Sequence, residues 1–316
     1  MISSRMSINV SIIIVNYNTE QLLFNCLESV YKYTKDISFE VIVSDNGSTD
    51  NSIEMLHKYY PLVIVIENKE NLGFGRANNR GLGIAKGKYI FYLNSDTILL
   101  NNAVKFFFDY WESADNKDEI GALGSNLCNK VLHTTHSYGY FPDFGNIWND
   151  IKALIYNIYG YNKLALLNIF FDKKIPNINN NTIFINKYGM VEYITGADLF
   201  LKNDLYAKFD ENYFLYCEET DLQYRMSRHK KKRLIISGPE IIHLEGASSK
   251  KRKENIISQK ASFSYVNYTL SRIYFFSKYG TPVYKIFLMK LFTFMLWCNP
   301  FLFTKNKKYF WRLLTI

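Results

Sequence analysis

Short apolar runs alternate with segments of helical spacing along the first third of the chain. Residues 10–15 (VSIIIV) form a continuous β-branched run, which is typical of a strand that is buried on both faces. Residues 40–44, 62–66 and 88–93 repeat this pattern, and the segments between them place apolar residues at the spacing of an amphipathic helix. Repeated strand–helix units with short links predict an α/β fold with a mostly parallel central sheet flanked by helices.

Polar residues follow directly on three of these predicted strands. They are Asn16, Tyr17, Asn18, Asp45, Asn94, Ser95 and Asp96. The carboxyl ends of parallel strands lie at one edge of a sheet, and the ligands of such sheets bind there. We therefore expect these residues to line a single ligand crevice.

The alternation of strands and helices is lost in the middle of the chain and then returns. Residues 127–190 are rich in Asn, Tyr and Phe and carry no clean repeat, so we expect an insertion over the sheet, with a helical part near residues 151–171. Regular patterning resumes at residues 191–201. A helix over residues 219–228 and a strand over residues 233–237 complete the predicted sheet domain.

The last part of the chain concentrates aromatic and basic residues. Residues 261–279 predict an aromatic-rich helix, and an apolar run follows at residues 283–303. Lys285, Lys290 and Pro300 interrupt this run, so it fits an interfacial amphipathic segment better than a spanning helix. We expect this C-terminal helical extension to lie on an anionic membrane surface. A helical pair packed on the rest of the chain, or in a dimer, is the alternative.

Composition adds a basic charge balance and few cysteines to this picture. The 316 residues include 38 Lys and Arg against 29 Asp and Glu, a formal net charge of +9, which suits phosphorylated ligands, nucleic acid or an anionic membrane. The four cysteines lie far apart and form no CxxC pair, which disfavours a zinc knuckle and a disulfide framework. The N-terminal residues contain no apolar core of signal-peptide length, so we expect a cytoplasmic protein.

Four carboxylates and one histidine are the candidates for chemistry. Asp96 would face the crevice, where it suits a divalent ion bridging it to a diphosphate; capping the next turn is the alternative. Glu218, Glu219 and Asp221 lie among aromatic residues, a setting that raises a carboxylate pKa towards that of a general base. Their other interpretation is a helix N-terminus, which favours acidic residues. His243 follows an apolar pair and by itself fits either a structural histidine or a metal ligand.

Ordered motifs extend over residues 1–250 and contain these candidates. They are residues 11–18 (SIIIVNYN), 40–50 (EVIVSDNGSTD), 71–79 (NLGFGRANN), 93–96 (LNSD), 195–198 (TGAD) and 209–222 (FDENYFLYCEETDL), together with His243. In this order the motifs resemble family 2 glycosyltransferases of the GT-A fold, in the rhamnosyltransferase-like branch. The resemblance implies a hexosyltransferase that moves a sugar from a nucleotide-diphosphate donor with inversion, in a single displacement.

The resemblance also implies roles for individual residues. Asp96 matches the metal-binding carboxylate of the family's DxD motif, His243 matches a histidine that completes the metal site in some relatives, and the implied cofactor is Mg²⁺ or Mn²⁺. Glu219 falls at the position of the proposed general base, with Glu218 and Asp221 as alternatives. The positions implied in donor binding are Asn16, Tyr17, Asp45, Arg76, Asn78, Asn94 and Ser95. Asn94 and Glu219 replace aspartates that the family usually has there.

The resemblance finally implies partners and a location. The expected donor is dTDP-rhamnose or a UDP-sugar, and the expected acceptor is a glycan or lipid-linked saccharide of bacterial-type surface polysaccharide synthesis. We expect an anionic membrane surface as a further partner and no nucleic acid, and the sequence predicts no particular oligomeric state. The protein is expected to be peripheral at the inner face of the plasma membrane.

Two main parts are predicted along the chain. A GT-A catalytic domain is expected over residues 1–250, and the C-terminal helical extension over residues 251–316. Within the first part we expect a nucleotide-sugar-binding half at 1–126, the insertion at 127–190 and an acceptor half at 191–250. A nucleotidyltransferase and a catalytically inactive sugar-nucleotide-binding protein are the alternative functions.

Overall fold

The computed structural model describes residues 7–145, 187–244, 263–298 and 309–316. The strands are β1 (Val10–Asn16), β2 (Phe39–Asp45), β3 (Ile64–Glu67), β4 (Tyr89–Asn94), β5 (Thr97–Leu99), β6 (Ile120–Gly124), β7 (Tyr138–Gly139), β8 (Gly189–Val191), β9 (Tyr193–Ile194), β10 (Asp198–Lys202), β11 (Lys232–Ile235) and β12 (Ile241–His243). The helices are α1 (Glu20–Tyr33), α2 (Ser52–Tyr59), α3 (Phe74–Leu82), α4 (Ala103–Ser113), α5 (Glu218–Arg228), α6 (Phe263–Lys278), α7 (Val283–Trp297) and α8 (Phe310–Thr315).

One eight-stranded sheet forms the centre of the described residues, in the order β3–β2–β1–β4–β10–β6–β11–β8. β1 pairs in parallel with β2 and β4, and the register sets Asn16 opposite Asp45 and Val15 opposite Asn94. β10 enters between β4 and β6 and is antiparallel to both. The sheet is thus mostly parallel, as predicted, and the carboxyl ends of β1, β2 and β4 meet at one edge.

Helices cover both faces of this sheet. Successive residues of β1 point to opposite sides, so this strand contributes to two cores. Ile12 and Ile14 belong to the core beneath α1 and α4, whereas Ile13 belongs to a second core that includes Leu222 of α5. All three isoleucines are fully buried, which confirms the prediction of a strand covered on both faces. A Cβ atom at Gly81 would lie 2.6 Å from Ile13 Cγ2, so the close packing of α3 on β1 requires glycine there.

The predicted elements are largely confirmed, with differences where the chain leaves a local pattern. The four strands predicted in the first third each begin and end within two residues of the observed ones. The stretch predicted as regular at residues 191–201 is divided, because residues 195–197 form a turn between β9 and β10. The helical part predicted near residues 151–171 lies outside the described residues.

The C-terminal extension is helical, as predicted, and its helices share a hydrophobic core. The buried residues of this core include Val266, Leu270, Ile273, Ile286, Met289, Trp297 and Leu313. Phe275 of α6 packs instead against Tyr213 and Cys217, which lie immediately before α5. The extension therefore contacts the sheet domain through α6. In the described ranges, no helix is both long and apolar enough to cross a bilayer.

Candidate active site

The carboxyl ends of β1 and β2 are joined by hydrogen bonds around Asp45. The Asn16 side-chain amide donates to Asp45 Oδ2 at 2.7 Å. The Ser48 backbone N–H and hydroxyl donate to the same carboxylate at 2.8 and 2.6 Å. Because Asp45 is almost fully buried, these three donors hold it in one position. Two of the predicted donor-binding residues, Asn16 and Asp45, thus form one rigid polar edge.

Thr19 connects this edge to the end of β4. Its hydroxyl donates to Asn16 Oδ1 at 2.6 Å and lies 3.1 Å from the Ser95 hydroxyl. Ser95 is buried, whereas Tyr17, which follows Asn16 in the sequence, is 48% exposed. The predicted residues Asn16, Tyr17 and Ser95 are therefore close in space. Thr19 is a site residue that the sequence interpretation missed, because a threonine just before a helix is ordinarily a cap.

The start of α3 lies beside the end of β2. The Asn46 amide donates to Gly73 O at 3.1 Å, which fixes the loop before the helix to the end of β2. Arg76 is exposed, and its Nε donates to Glu211 O at 2.8 Å. Asn78 is buried and donates to Phe74 O of its own helix at 3.2 Å. The donor-binding roles of Arg76 and Asn78 stay predictions.

Asp96 and His243 lie side by side at the end of β4. β12 pairs antiparallel with β5, which sets His243 opposite Thr97, and Leu244 N donates to Asp96 O at 2.9 Å. His243 Nε2 is 3.3 Å from Asp96 Oδ1, and the two side chains are 13% and 8% exposed. A carboxylate oxygen next to an imidazole nitrogen is a donor set that fits a divalent ion.

Asp96 and His243 alone provide too few ligands for a metal site that is built only from protein side chains. No group of three or more His, Cys, Asp or Glu side chains suited to a metal occurs among the described residues. Mg²⁺ and similar ions are commonly held by one or two carboxylates together with substrate phosphates and water. The residues present therefore fit an ion whose remaining ligands come from a bound diphosphate.

A further carboxylate, Asp198, lies beneath the end of β4. It is the first residue of β10, opposite Leu93, and it is fully buried. Oδ2 accepts hydrogen bonds from the Ser125 N–H and hydroxyl at 2.7 and 2.6 Å, whereas Oδ1 has no hydrogen-bond partner in the part of the chain that the structure describes. Burial raises its pKa to about 7, although Ser125 and nearby His243 oppose the shift. The sequence signal for Asp198 was an aspartate opening the apolar run DLFL, which was noted only as part of a motif.

Glu218 and Glu219 begin α5, directly after a turn of unusual backbone geometry. Tyr216 and Cys217 have φ values of 70° and 66°, which place two consecutive non-glycine residues in the left-handed region. Glu218 is buried, and among the described residues its Oε2 has no hydrogen-bond partner. The turn thus begins α5 with two adjacent carboxylates, one of them buried with an oxygen that no described residue satisfies.

The two glutamates differ in how readily they ionise. Burial raises the pKa of both carboxyls, and the charge of Glu219 raises the pKa of Glu218 further. The pKa of Glu218 is thus raised further than that of Glu219, so Glu219 ionises at the lower pH. A pair of carboxyls whose environments separate their pKa values is a common feature of acid–base sites.

Asp221, the third predicted carboxylate, has different surroundings. It is fully buried, and it accepts hydrogen bonds from Lys278 Nζ at 2.7 Å and Tyr279 OH at 2.8 Å. Tyr213 OH and Arg225 Nε donate to it at 3.2 and 3.1 Å. Four donors thus occupy Asp221. The structure places this residue in a network with the C-terminal extension, which the sequence interpretation did not foresee.

The turn at residues 195–197 contacts both the end of β4 and the start of α5. Asn94 N, two residues before Asp96, donates to Ala197 O at 3.0 Å. A Cβ atom at Gly196 would lie 3.7 Å from Glu219 Cβ. The structure therefore brings the end of β4 and the start of α5, which are distant in sequence, to the same short turn.

The sequence matches known glycosyltransferases over its first half. The family model described as glycosyl transferase family 2 matches residues 11–170. A poly(ribitol-phosphate) β-glucosyltransferase of Bacillus spizizenii is 35% identical over 116 residues, which are 35% of this chain and 18% of that protein. An uncharacterized glycosyltransferase of Haemophilus influenzae is 32% identical over 178 residues, 52% of this chain and 54% of that protein. The chain thus spans about half, or less, of the length of these relatives.

A solved structure matches almost the whole chain. A mannosyltransferase from Pyrobaculum calidifontis, in complex with GDP-Man and Mn²⁺, superposes with a TM-score of 0.53 at 14% identity, over 95% of this chain and 74% of that chain. At this level of identity the likeness shows the fold, and it confirms the predicted GT-A architecture. The family match includes Asp45 and Asp96 and ends before Glu219. Since it covers half of the residues, the chain belongs to glycosyltransferase family 2.

Proposed function

We propose that the protein is an inverting glycosyltransferase that moves a sugar from a nucleotide-diphosphate donor to a glycan or lipid-linked acceptor. The observation that carries this proposal is the short turn at residues 195–197, which is bonded to Asn94, two residues before Asp96, and packs against Glu219. Metal-assisted sugar transfer has two requirements. One is a group of residues that fits a metal ion and a diphosphate, and the other is a carboxylate with a raised pKa. The names of the relatives support bacterial-type surface polysaccharide synthesis as the process.

The donor nucleotide is proposed to bind along the ends of β1 and β2. Asp45 and Asn16 offer oriented polar atoms there, and the exposed ring of Tyr17 offers a surface for the base. Asn94 and Ser95 would lie near the sugar-diphosphate, with Arg76 at the rim of the crevice. The proposed donor is dTDP-rhamnose or a UDP-sugar.

The diphosphate end of the donor is proposed to reach Asp96 and His243. These two residues would hold Mg²⁺ or Mn²⁺. When bound, the ion supplies positive charge that offsets the charge of the departing diphosphate. Low exposure of both side chains strengthens electrostatic interactions at this corner.

Glu219 is proposed as the general base. Its ionised carboxylate takes the proton of the acceptor hydroxyl as the oxygen bonds to the anomeric carbon of the donor sugar. The bond from that carbon to the diphosphate oxygen breaks in the same step, so the configuration inverts once. The pKa of the neighbouring Glu218 carboxyl is raised further by burial and by the charge of Glu219, which leaves Glu219 as the first of the two to ionise.

A ligand screen tests the donor class. Thermal-shift measurements with Mn²⁺ and UDP-, GDP- and dTDP-sugars should show stabilisation by one nucleotide series, because a ligand that binds only the folded state raises the melting temperature. We expect Asp45→Asn to weaken this shift. If no nucleotide sugar stabilises the protein at millimolar concentration, the proposed function is wrong.

We further propose that the C-terminal extension attaches the enzyme peripherally to the anionic inner face of the plasma membrane. One side of α7 lies in the core of the extension, yet its other side also carries large apolar residues. The exposed ones are Tyr284, Phe287, Leu291, Phe294 and Met295, joined by Trp311 and Leu314 of α8. An exposed apolar surface on a chain of net positive charge suits the boundary between lipid headgroups and acyl chains.

A further inference from the structure

The turn that presents Glu218 and Glu219 is held in a conformation that its residues do not favour. Tyr216 and Cys217 both have positive φ values, although neither is glycine. Strained backbone of this kind persists only where surrounding contacts determine it, and it occurs often at functional sites. The contacts that hold this turn should therefore affect the position of the glutamates.

Helix α6 of the C-terminal extension supplies several of these contacts, in addition to the hydrogen bond from Phe74 N to Phe214 O at 3.1 Å. The Ser271 hydroxyl donates to Leu215 O at 2.9 Å, immediately before the turn. Phe275 packs with Tyr213 and Cys217 in one buried cluster. A helix that follows the last family motif in sequence thus lies directly against the turn.

Lys278, the last residue of α6, adds an ionic connection. Its Nζ donates to Asp210 Oδ2 and to Asp221 Oδ1, each at 2.7 Å. Asp210 precedes the turn and Asp221 follows it, so one ammonium group fixes the chain on both sides. Burial alone would lower the pKa of Lys278, but the hydrogen bonds to the two carboxylates raise it, and the side chain stays charged.

We propose that Lys278 is a positioning residue for sugar transfer, which holds the turn before α5 so that Glu219 points into the crevice. The C-terminal extension then has a role in catalysis as well as in attachment. This inference rests on the proposed role of Glu219 as the base.

Substitution of Lys278 tests the inference. Lys278→Met keeps the length of the side chain and removes its charge and donors. We expect kcat to fall at least about tenfold while the donor KM stays within about twofold, because misplaced catalytic groups reduce turnover more than substrate binding. Lys278→Arg, which retains a cation with several donors, should recover most of kcat. Lys285→Met is the matched control, since Lys285 lies over the Phe144 ring, and it should keep wild-type kcat.

Ser271→Ala is a second, milder variant that leaves the folded core in place. Loss of its hydrogen bond to Leu215 should lower kcat about three- to tenfold with the donor KM unchanged, the scale of one net hydrogen bond. Calorimetric titration with the donor counts the folded sites in each preparation, so kcat is compared per competent site.

The outcomes separate this inference from the proposed function. Wild-type kcat in Lys278→Met and in Ser271→Ala, with Glu219→Gln inactive, would overturn the positioning role and leave the base in place. Wild-type kcat in Glu219→Gln would instead show that the base is wrongly assigned. A loss in Lys278→Met that Lys278→Arg does not recover would also overturn the positioning role.

Discussion

Adjacent glutamates at the start of α5 have unequal roles. Burial raises the pKa of both carboxyls, and the charge of Glu219 raises the pKa of Glu218 further, so Glu219 ionises first. Glu219→Gln should therefore lower kcat at least about a hundredfold, the usual scale for loss of a general base. Glu218→Gln replaces the carboxyl with the more strongly raised pKa, which ionises after Glu219, so kcat should stay within about tenfold of wild type in the same steady-state assay. The reverse ranking of the two variants would assign the base to Glu218.

The pH dependence of turnover follows from the same environment. Burial raises the pKa of Glu219, and transfer requires its ionised form. The carboxylate is protonated and inactive below this pKa, and kcat rises as the pH increases through it. A pH profile of kcat should thus show an acidic limb above the ordinary glutamate range. A limb within that range would contradict the assignment.

Asp198 makes the free energy of unfolding depend on pH, whereas an asparagine at this position would not, because an amide does not titrate. Its folded-state pKa of about 7 lies above its ordinary value, so the folded state holds the proton more tightly between those two values. Stability is therefore lost as the pH rises through this window. Relative to wild type, Asp198→Asn should gain on the order of 3 kcal/mol between pH 4 and pH 8. Denaturant unfolding at the two pH values measures this, and an unchanged difference would show that Asp198 is not the responsible group.

Residue types and motifs predicted only part of this site. Asp96 and His243 were paired through a family resemblance, and the structure places them in contact. The surroundings of Asp221 could not be predicted, because its donors Lys278 and Tyr279 come from a distant part of the chain. Local sequence indicates which side chains can titrate, but their partners depend on tertiary packing.

At the scale of elements, the small sheet of β5 and β12 builds the proposed metal site. Its antiparallel register, together with the hydrogen bond from Leu244 N to Asp96 O, brings His243 beside the end of β4. Asp96→Asn should therefore weaken Mn²⁺ binding in the presence of a nucleoside diphosphate at least about tenfold, since an amide is a poorer ligand than a carboxylate.

Calorimetric titration of Mn²⁺ measures this loss independently of turnover. Asp115→Asn makes the same substitution at an exposed carboxylate and should leave Mn²⁺ binding unchanged. Equal affinity in wild type and Asp96→Asn would exclude Asp96 as a ligand.

Hydrophobic patterns predicted elements better than their pairing. The run of β1 was sufficient for a buried parallel strand, and the structure confirms it. β10 has an equally apolar run, yet it is antiparallel to both neighbours. Strand direction depends on how the chain returns to the sheet, and residues 127–190 carried no pattern that would indicate it.

At the scale of the molecule, the C-terminal extension has two distinct surfaces. α6 packs on the turn before α5, and the outer side of α7 exposes apolar residues. Combined substitution of Phe287 and Leu291 by Ser should abolish flotation with anionic vesicles at low salt, because it removes apolar side chains from the bilayer boundary. Leu62→Ser and Leu205→Ser together provide the matched control, since both leucines are exposed elsewhere, and should float like wild type.

Two results would contradict membrane attachment. Wild-type protein that stays unbound to phosphatidylserine vesicles would remove the basis for it. A mass that doubles with concentration, and that the Phe287 and Leu291 substitutions return to the monomer, would show that this surface joins two copies of the chain.

Stereochemistry of the transferred sugar tests the central claim most directly. The full chain with Mn²⁺ is incubated with UDP-glucose, dTDP-rhamnose or GDP-mannose, with water as the acceptor. The configuration of the free sugar that is first released is determined by NMR before its anomers equilibrate. The proposed site predicts that one donor yields the inverted anomer and that Glu219→Gln abolishes its release. A product of retained configuration, or release that Glu219→Gln leaves unchanged, would contradict single displacement with Glu219 as the base.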